Sequence, residues 1–433
     1  MLCALACGDD QVADMDGDDS DAPAGSGDGD GDTRDDGADD VFRFAGDSGA
    51  GEGTDAALTD DTGSSGTELP EPVVGDGWLR FQEVEPSEEG AVRLDVDVPA
   101  GADSMVLTLD PRTLPRSLAL VALTAPDGEL LYDFRDEETE FPYQPTSLRN
   151  ANDHLPYSFM FPTNPQMRLQ SGTYGVLLFV DDPSEPVDVD VVFQQLPGGD
   201  AEPRLGIVLW FADGTTMDAA QARDDVDFQD AVDGMVGIFR SAGIRIDEVE
   251  YGNLGAGDET LATVEGDADL AELIAELRGD SAQVLHVIFV EHMENEAGNT
   301  IRTRTSGAPG PPAHPSFARR GAAVIALDTL PSSIRRMGEV LAHEAAHYLG
   351  LAHTTEIDGS HDPIVDTAEC PADLASETLP SGEEVLVPAD CSDHDGYNLM
   401  FYRPPLGSMD QRELTNGQAV IMAVNPMVRW VEP

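Results

Sequence analysis

Eleven consecutive residues constrain this chain more than any other feature: His343, Glu344, Ala345, Ala346, His347, Tyr348, Leu349, Gly350, Leu351, Ala352 and His353. Side chains four apart on a helix share a face and lie about 6 Å apart along its axis. A helix over about Ser333 to Leu349 therefore lets the imidazoles of His343 and His347 reach one ion. The apolar spacing agrees, with Met337, Leu341, Ala345 and Tyr348 on one stripe and Val340, His343 and His347 on another. Gly350 supplies the φ > 0 conformation that ends a helix and turns the chain, returning His353 as a third ligand. Three protein ligands leave one position open on a tetrahedral Zn2+, as in catalytic rather than structural zinc sites. Glu344 projects beside the imidazoles without being a ligand, placed to accept a proton from metal-held water. The other histidines, His154, His286, His292, His314, His361 and His394, share no such spacing.

The pattern of His, Glu, His, Gly and His at these offsets resembles the signature of the metzincin zinc metallopeptidases. Downstream, Asn398, Leu399, Met400, Phe401 and Tyr402 resemble the Met-turn of that clan. The resemblance implies that Met400 packs beneath the zinc site and that Tyr402 lies near the metal and stabilises the oxyanion. It also implies that an extended substrate pairs with an edge strand near Ile301 to Ser306. Thr354, directly after the third histidine, and the run Asp362, Pro363, Ile364, Val365, Asp366, Thr367 are similar to the pappalysin-like branch. Phe401 departs from that branch, where an acidic residue is frequent, and the cysteine pattern differs in part. The implied fold is an α+β catalytic domain with a mixed twisted sheet, an active-site helix and an irregular C-terminal subdomain. The implied activity is hydrolysis of internal bonds in a protein or peptide substrate, with Glu344 as general base.

The chain has 433 residues, more than one hydrophobic core usually supports. Residues 1–7 read as the remnant of a lipoprotein signal. From Gly8 to Asp76 the sequence is dominated by Asp, Gly, Ser and Ala, too polar to bury a core, so it reads as a disordered tether. Within it Phe44, Ala45, Gly46 and Asp47 resemble an astacin-type aspartate switch, although so Gly- and Asp-rich a tract produces such patterns by composition. Residues 77–200 switch to period two. Val92, Leu94, Val96 and Val98 alternate with Arg93, Asp95 and Asp97, the mark of a half-buried strand. Similar runs at Met105 to Leu109, Leu118 to Leu123, Tyr174 to Val180 and Val187 to Phe193 suggest an all-β sandwich acting as a spacer or adhesion module. Residues 201–433 alternate strands with helices. One amphipathic helix is expected over Met217 to Arg240, and strands at Leu205 to Phe211, Ile244 to Tyr251, Val284 to Val290 and Ala322 to Leu327.

The formal net charge of -61 repels nucleic-acid phosphates and anionic headgroups, so neither nucleic acid nor basic-patch membrane binding is expected. No run reaches the roughly 18 apolar residues that a spanning helix needs. Cys3 and Cys7 open the chain, and Cys370 and Cys391 bracket an acidic loop. Met1 to Gly8 resembles the end of a bacterial lipoprotein signal, with Ala6 before Cys7 as the lipidation candidate, but it lacks the positive start and full apolar core. Export would place the chain outside the cytoplasm, in the cell envelope or secreted, where Cys370 and Cys391 can form a disulfide. Asp358, Asp362, Asp366 and Asp393 are candidates for Ca2+ near the cleft. Two other functions stay open: a surface binding protein whose metzincin-like domain holds zinc without turnover, and a zinc hydrolase of another substrate.

Overall fold

The computed structural model describes residues 71–432, leaving aside 111, 113–116, 136–140, 144–155, 256–258, 278–282, 296–297, 314–320, 332, 357–359, 379–383 and 404–409. Cys3, Cys7, the aspartate-switch segment, nearly all of the expected tether, His154, His314 and Asp358 lie outside the described residues.

Nine strands open the described chain: β1 (Val73–Gly75), β2 (Trp78–Val84), β3 (Ala91–Val98), β4 (Ser104–Asp110), β5 (Leu118–Thr124), β6 (Leu130–Asp133), β7 (Tyr157–Phe161), β8 (Gly172–Val180) and β9 (Val187–Gln194). They form two antiparallel sheets, ordered β1-β2-β9-β4-β7 and β3-β8-β5-β6. Alternation decides which side of each strand is buried. In β3, Val92, Leu94, Val96 and Val98 point inward while Arg93, Asp95 and Asp97 are exposed. The inward faces of both sheets close on one aliphatic and aromatic core that includes Leu107, Phe159, Tyr174 and Leu178. Strands β4 and β7 differ, because both of their faces are buried.

The second half contains β10 (Glu202–Ala212), α1 (Ala219–Asp224), α2 (Val226–Ser241), β11 (Arg245–Leu254), β12 (Thr263–Glu265), α3 (Asp267–Ala275), β13 (Val284–Val290) and β14 (His292–Glu294). It continues with β15 (Thr303–Thr305), β16 (Ala323–Ala326), α4 (Ile334–Tyr348), β17 (Glu377–Thr378), β18 (Glu384–Val385), α5 (Asn416–Val424) and β19 (Arg429–Val431). The main sheet runs β11-β10-β13-β16-β15, with β19 also pairing with β10. Its first four strands are parallel, and parallel neighbours need crossovers such as α2. Strand β15 is antiparallel to β16 and ends the strand order. The result is a mixed, sheet-rich α+β fold with few helices.

The single helix expected over Met217 to Arg240 is two helices. Asp225 ends α1 by donating its N–H to Gln221 O and starts α2 by accepting from Phe228 N at 2.8 Å. One residue serving as both caps breaks the helix without Gly or Pro. Helix α2 buries Phe228, Ala231, Val232, Met235 and Phe239, and α4 packs across it. The crossing is close at Gly338, where a Cβ would stand 2.6 Å from Ala231 O. Glycine there lets α4 settle onto α2, with Leu341, Ala342, Ala345 and Ala346 in the core. Among the described residues no helix is long and apolar enough to cross a membrane.

Candidate metal centre

Gly350 shapes the end of α4. It adopts φ +103°, and its N–H donates to His347 O at 2.8 Å while Leu351 N donates to Ala346 O at 3.1 Å. These paired bonds are those of a Schellman motif. The reversal brings Leu351 O within 2.8 Å of His347 Nδ1 and carries His353 back over the helix.

The three imidazoles converge through their Nε2 atoms. His347 Nε2 lies 2.9 Å from that of His343 and 3.1 Å from that of His353, and the remaining separation is 3.3 Å. On the far side of each ring, Nδ1 faces an oxygen: Leu399 O at 2.7 Å for His343, Leu351 O for His347, and Glu356 Oε2 at 2.9 Å for His353. A carbonyl only accepts, so Nδ1 of His343 and His347 carries the proton, and the Glu356 carboxylate holds His353 the same way. Each Nε2 then turns a lone pair toward the other two. Lone pairs this close repel unless a cation sits among them, and the three residues can hold one ion. Nitrogens about 2.1 Å from a tetrahedral zinc stand about 3.4 Å apart, which these separations approach. Burial, reinforced by the neighbouring imidazoles, holds His343 and His347 below the usual histidine range. Both are neutral at pH 7, as metal ligation requires.

Glu344 is buried, and its Oε2 accepts a 2.5 Å hydrogen bond from the hydroxyl of Thr305 on the terminal strand β15. The general-base candidate is thus oriented against the strand that lies within the expected substrate-pairing segment. Met400 is fully buried in the same core as α4. Its turn works through the backbone as well. Leu399 O holds His343, and Met400 O accepts from the N–H of Thr354, the residue after His353, at 2.8 Å. Asn398 shapes the turn by accepting from Met400 N at 2.8 Å, and its amide pairs with that of Gln418 on α5 at 2.9 and 3.1 Å.

Tyr402 is half-buried, and its hydroxyl donates to Leu386 O at 2.5 Å. It lines a cleft together with His343, Glu344, Thr303, Phe401, Arg336 and Glu339. Both carboxylate oxygens of Glu339 are buried, 3.9 Å from Arg335 Nε and Arg336 Nη1, beyond hydrogen-bonding reach. Burial raises its pKa against the pull of those arginines. Cys370 and Cys391 form a disulfide with Cα atoms 5.5 Å apart, packed with Leu386 and Phe401 behind the cleft.

Among the described residues, the Ca2+ candidates Asp362, Asp366 and Asp393 do not come together in a group that could hold an ion. Asp366 is turned to helix α5, accepting from Thr415 Oγ1 at 2.8 Å and Gly417 N at 2.9 Å, while Asp393 is exposed. Asp362 is the one with a strongly altered acidity, pushed up to about 7 chiefly by burial and further by Asp395 and Asp366. Asp395, fully buried and bonded to Thr355 Oγ1 at 2.6 Å, escaped the sequence reading because nothing in its spacing marks it. Glu356 escaped too, although it stands only three residues beyond His353. Thr305 and Gln418 carry no local signal of their role.

No protein-family model matches the chain, and neither does any curated protein. Among solved structures, metalloproteinase-II from Bacteroides fragilis is similar at 17% identity and a TM-score of 0.25, over 43% of this chain and 59% of that one. The CspB protease of Clostridium perfringens is similar at 11% identity and a TM-score of 0.16, over 27% of this chain and 25% of that one. A family two carbohydrate esterase from Cellvibrio japonicus gives 11% identity and a TM-score of 0.15, over 53% and 77%. This chain therefore spans less than two thirds of the first two. Likeness at this level argues neither fold nor activity, so function has to be read from the site.

Proposed function

We propose that the chain is a zinc-dependent endopeptidase of the metzincin type that acts outside the cytoplasm on protein or peptide substrates. One observation carries the reading: three imidazoles turn their Nε2 atoms to one point beside a buried carboxylate that is oriented by the terminal strand of the sheet. When bound, zinc would supply Lewis acidity there, lowering the pKa of a water to about 7 and polarising the scissile carbonyl.

The chain's own residues would do the rest. Glu344 takes the proton from the attacking water and delivers it to the leaving nitrogen. Thr305, by donating to Oε2, keeps the carboxylate aimed while the other oxygen works. Strand β15, at the end of the strand order, offers backbone groups to an extended peptide. Tyr402, on the cleft wall with His343 and Glu344, is the candidate hydroxyl for the developing oxyanion, a role that requires it to release its hydrogen bond to Leu386 O. The disulfide supports an oxidising compartment, and Cys7 is the candidate anchor.

Metal analysis of the purified protein, with cleavage of casein and of a peptide library before and after chelation, tests the reading. The expected result is about one zinc per chain and internal cleavage that stops on chelation and returns with Zn2+. Metal-loaded protein that cleaves nothing would favour the binding-protein alternative, and protein that takes up no metal would end the assignment.

A further inference from the structure

Strands β4 and β7 are buried on both faces. One face of each, with Met105, Leu107, Leu109, Tyr157, Phe159 and Phe161, belongs to the sandwich core. From the other face, Val106 and Met160 belong to the core that holds α4 and the Met-turn. Hydrogen bonds cross the same boundary: Ser104 Oγ donates to Val424 O, and Gln194 Nε2 donates to Val428 O at 2.8 Å. The sandwich is therefore packed into the half of the chain that carries the histidines.

Two of these contacts fall on the segment that carries the third histidine. Met160 is fully buried, and its methyl group would stand 2.7 Å from a Cβ on Gly350, the residue whose positive φ turns the chain toward His353. Asn164, just beyond β7, donates its Nδ2–H to Pro363 O at 2.7 Å. Met160 is itself held in place, since its carbonyl accepts from Tyr143 at 2.8 Å. His343 and His347 have a helix to fix their spacing. His353 has none, because no described residue between Gly350 and Pro363 is helical.

We propose that the sandwich is a positioning part of the metal centre: Met160 packs against Gly350 and Asn164 holds Pro363 O, and together these contacts on either side of His353 set where it meets the other two imidazoles. This rests on the reading of the histidines as metal ligands and assigns the sandwich a task beyond that of a spacer. Met160 and Asn164 are not among the three imidazole ligands, so theirs is a positioning role exerted on His353.

The test uses the full chain and Co2+ as a probe, because its d–d spectrum reports ligand number and geometry without any turnover. Met160→Ala and Asn164→Ala should each weaken Co2+ and Zn2+ binding about tenfold or more, the scale seen when groups that orient ligands are removed, and should shift the spectrum. Met160→Leu, which restores most of the volume, should recover both readouts. Leu120→Ala, in the sandwich core away from this face, should lower thermal stability and leave affinity and spectrum unchanged. Folded Met160 and Asn164 variants with wild-type affinity and spectrum would overturn the proposal, as would a Leu120→Ala variant that shifts them equally. If Met160→Ala does not fold, half-buried Asn164 decides the matter. Wild-type protein that binds neither metal would remove the metal centre itself, a failure distinct from that of the positioning role.

Discussion

The sandwich and the segment after α4 are held together by different physics. In the sandwich, period-two strands place aliphatic and aromatic side chains in a common core, and many residues share the work. Between Leu349 and Asn416 regular structure is limited, among the described residues, to the short strands β17 and β18 and one short 3-10 turn. Besides its disulfide and a few buried apolar residues such as Met400 and Phe401, that segment is held by single bonds between particular groups, such as His343 to Leu399 O, Thr354 N to Met400 O and Asn398 to Gln418. A core made of many similar contacts should lose stability by degrees when one is removed. A network of unlike bonds should lose function at one stroke while the fold survives.

The largest expected effect breaks the network side. Glu344→Gln keeps the shape and an oxygen for Thr305 but removes the proton acceptor, so turnover should fall by about 10²- to 10⁴-fold. Zinc content and melting temperature should hardly move. Stopped assays of peptide cleavage beside metal analysis check this, and a variant retaining most of its rate would remove Glu344 from its role. The core side is tested by Leu178→Ala, at a fully buried position of β8. It should cost about 2–5 kcal/mol of stability in denaturant unfolding while folded protein keeps wild-type zinc affinity. A loss of affinity as large as that expected for Met160→Ala would show that the two regions are not separable in this way.

How much of each region could be read from the chain follows the same division. Strand β3 was legible because Val92, Leu94, Val96 and Val98 repeat at the period of the pleat, and the buried face of α2 because its apolar residues repeat at the helical period. The three imidazoles were legible because four residues of helix and one glycine fix their relation within eleven residues. Their supports were not. Thr305 and Glu344 are 39 residues apart, Asn398 and Gln418 are 20 apart, and Asn164 and Pro363 are 199 apart. Such pairs exist only once the fold has brought them together, and even where one partner stands in a motif, as Glu344 and Asn398 do, nothing marks the other. The double burial of β4 and β7 was hidden for a related reason, since a period-two pattern does not say what covers the second face.

A third test lies inside the network and is read by pH. Asp362 accepts from Thr367 Oγ1 at 2.5 Å and from Ile364 N at 3.2 Å, yet burial dominates and pushes its pKa from 3.8 up to about 7. The folded state therefore prefers the protonated acid, and ionisation costs stability. The sign follows directly: the cost is absent below about pH 4, grows as pH rises, and is complete above about pH 7, reaching up to about 4 kcal/mol. Asp362→Asn should remove that slope and leave the variant more stable than wild type at pH 8. Denaturant titrations of the metal-free forms at several pH values measure it, and parallel curves would show that Asp362 ionises normally.

The smallest effect concerns His292, which sits at the surface between Asp328 at 2.6 Å and Glu294 at 3.0 Å. Hydrogen bonds to these two carboxylates, Asp328 first, raise its pKa above 6.5. Here the folded state prefers the charged form, so the contribution is stabilising and its sign is opposite to that of Asp362. It is complete below about pH 6.5 and fades as pH rises through the folded value. Its side chain is 30% exposed, and water screens such pairs, so the gain should not exceed about 1 kcal/mol. His292→Gln should therefore be less stable than wild type at pH 6 and indistinguishable from it at pH 9. A deficit of equal size at both would mean that His292 contributes by packing, as the sandwich core does, and that the division between shared contacts and single bonds does not reach this part of the surface.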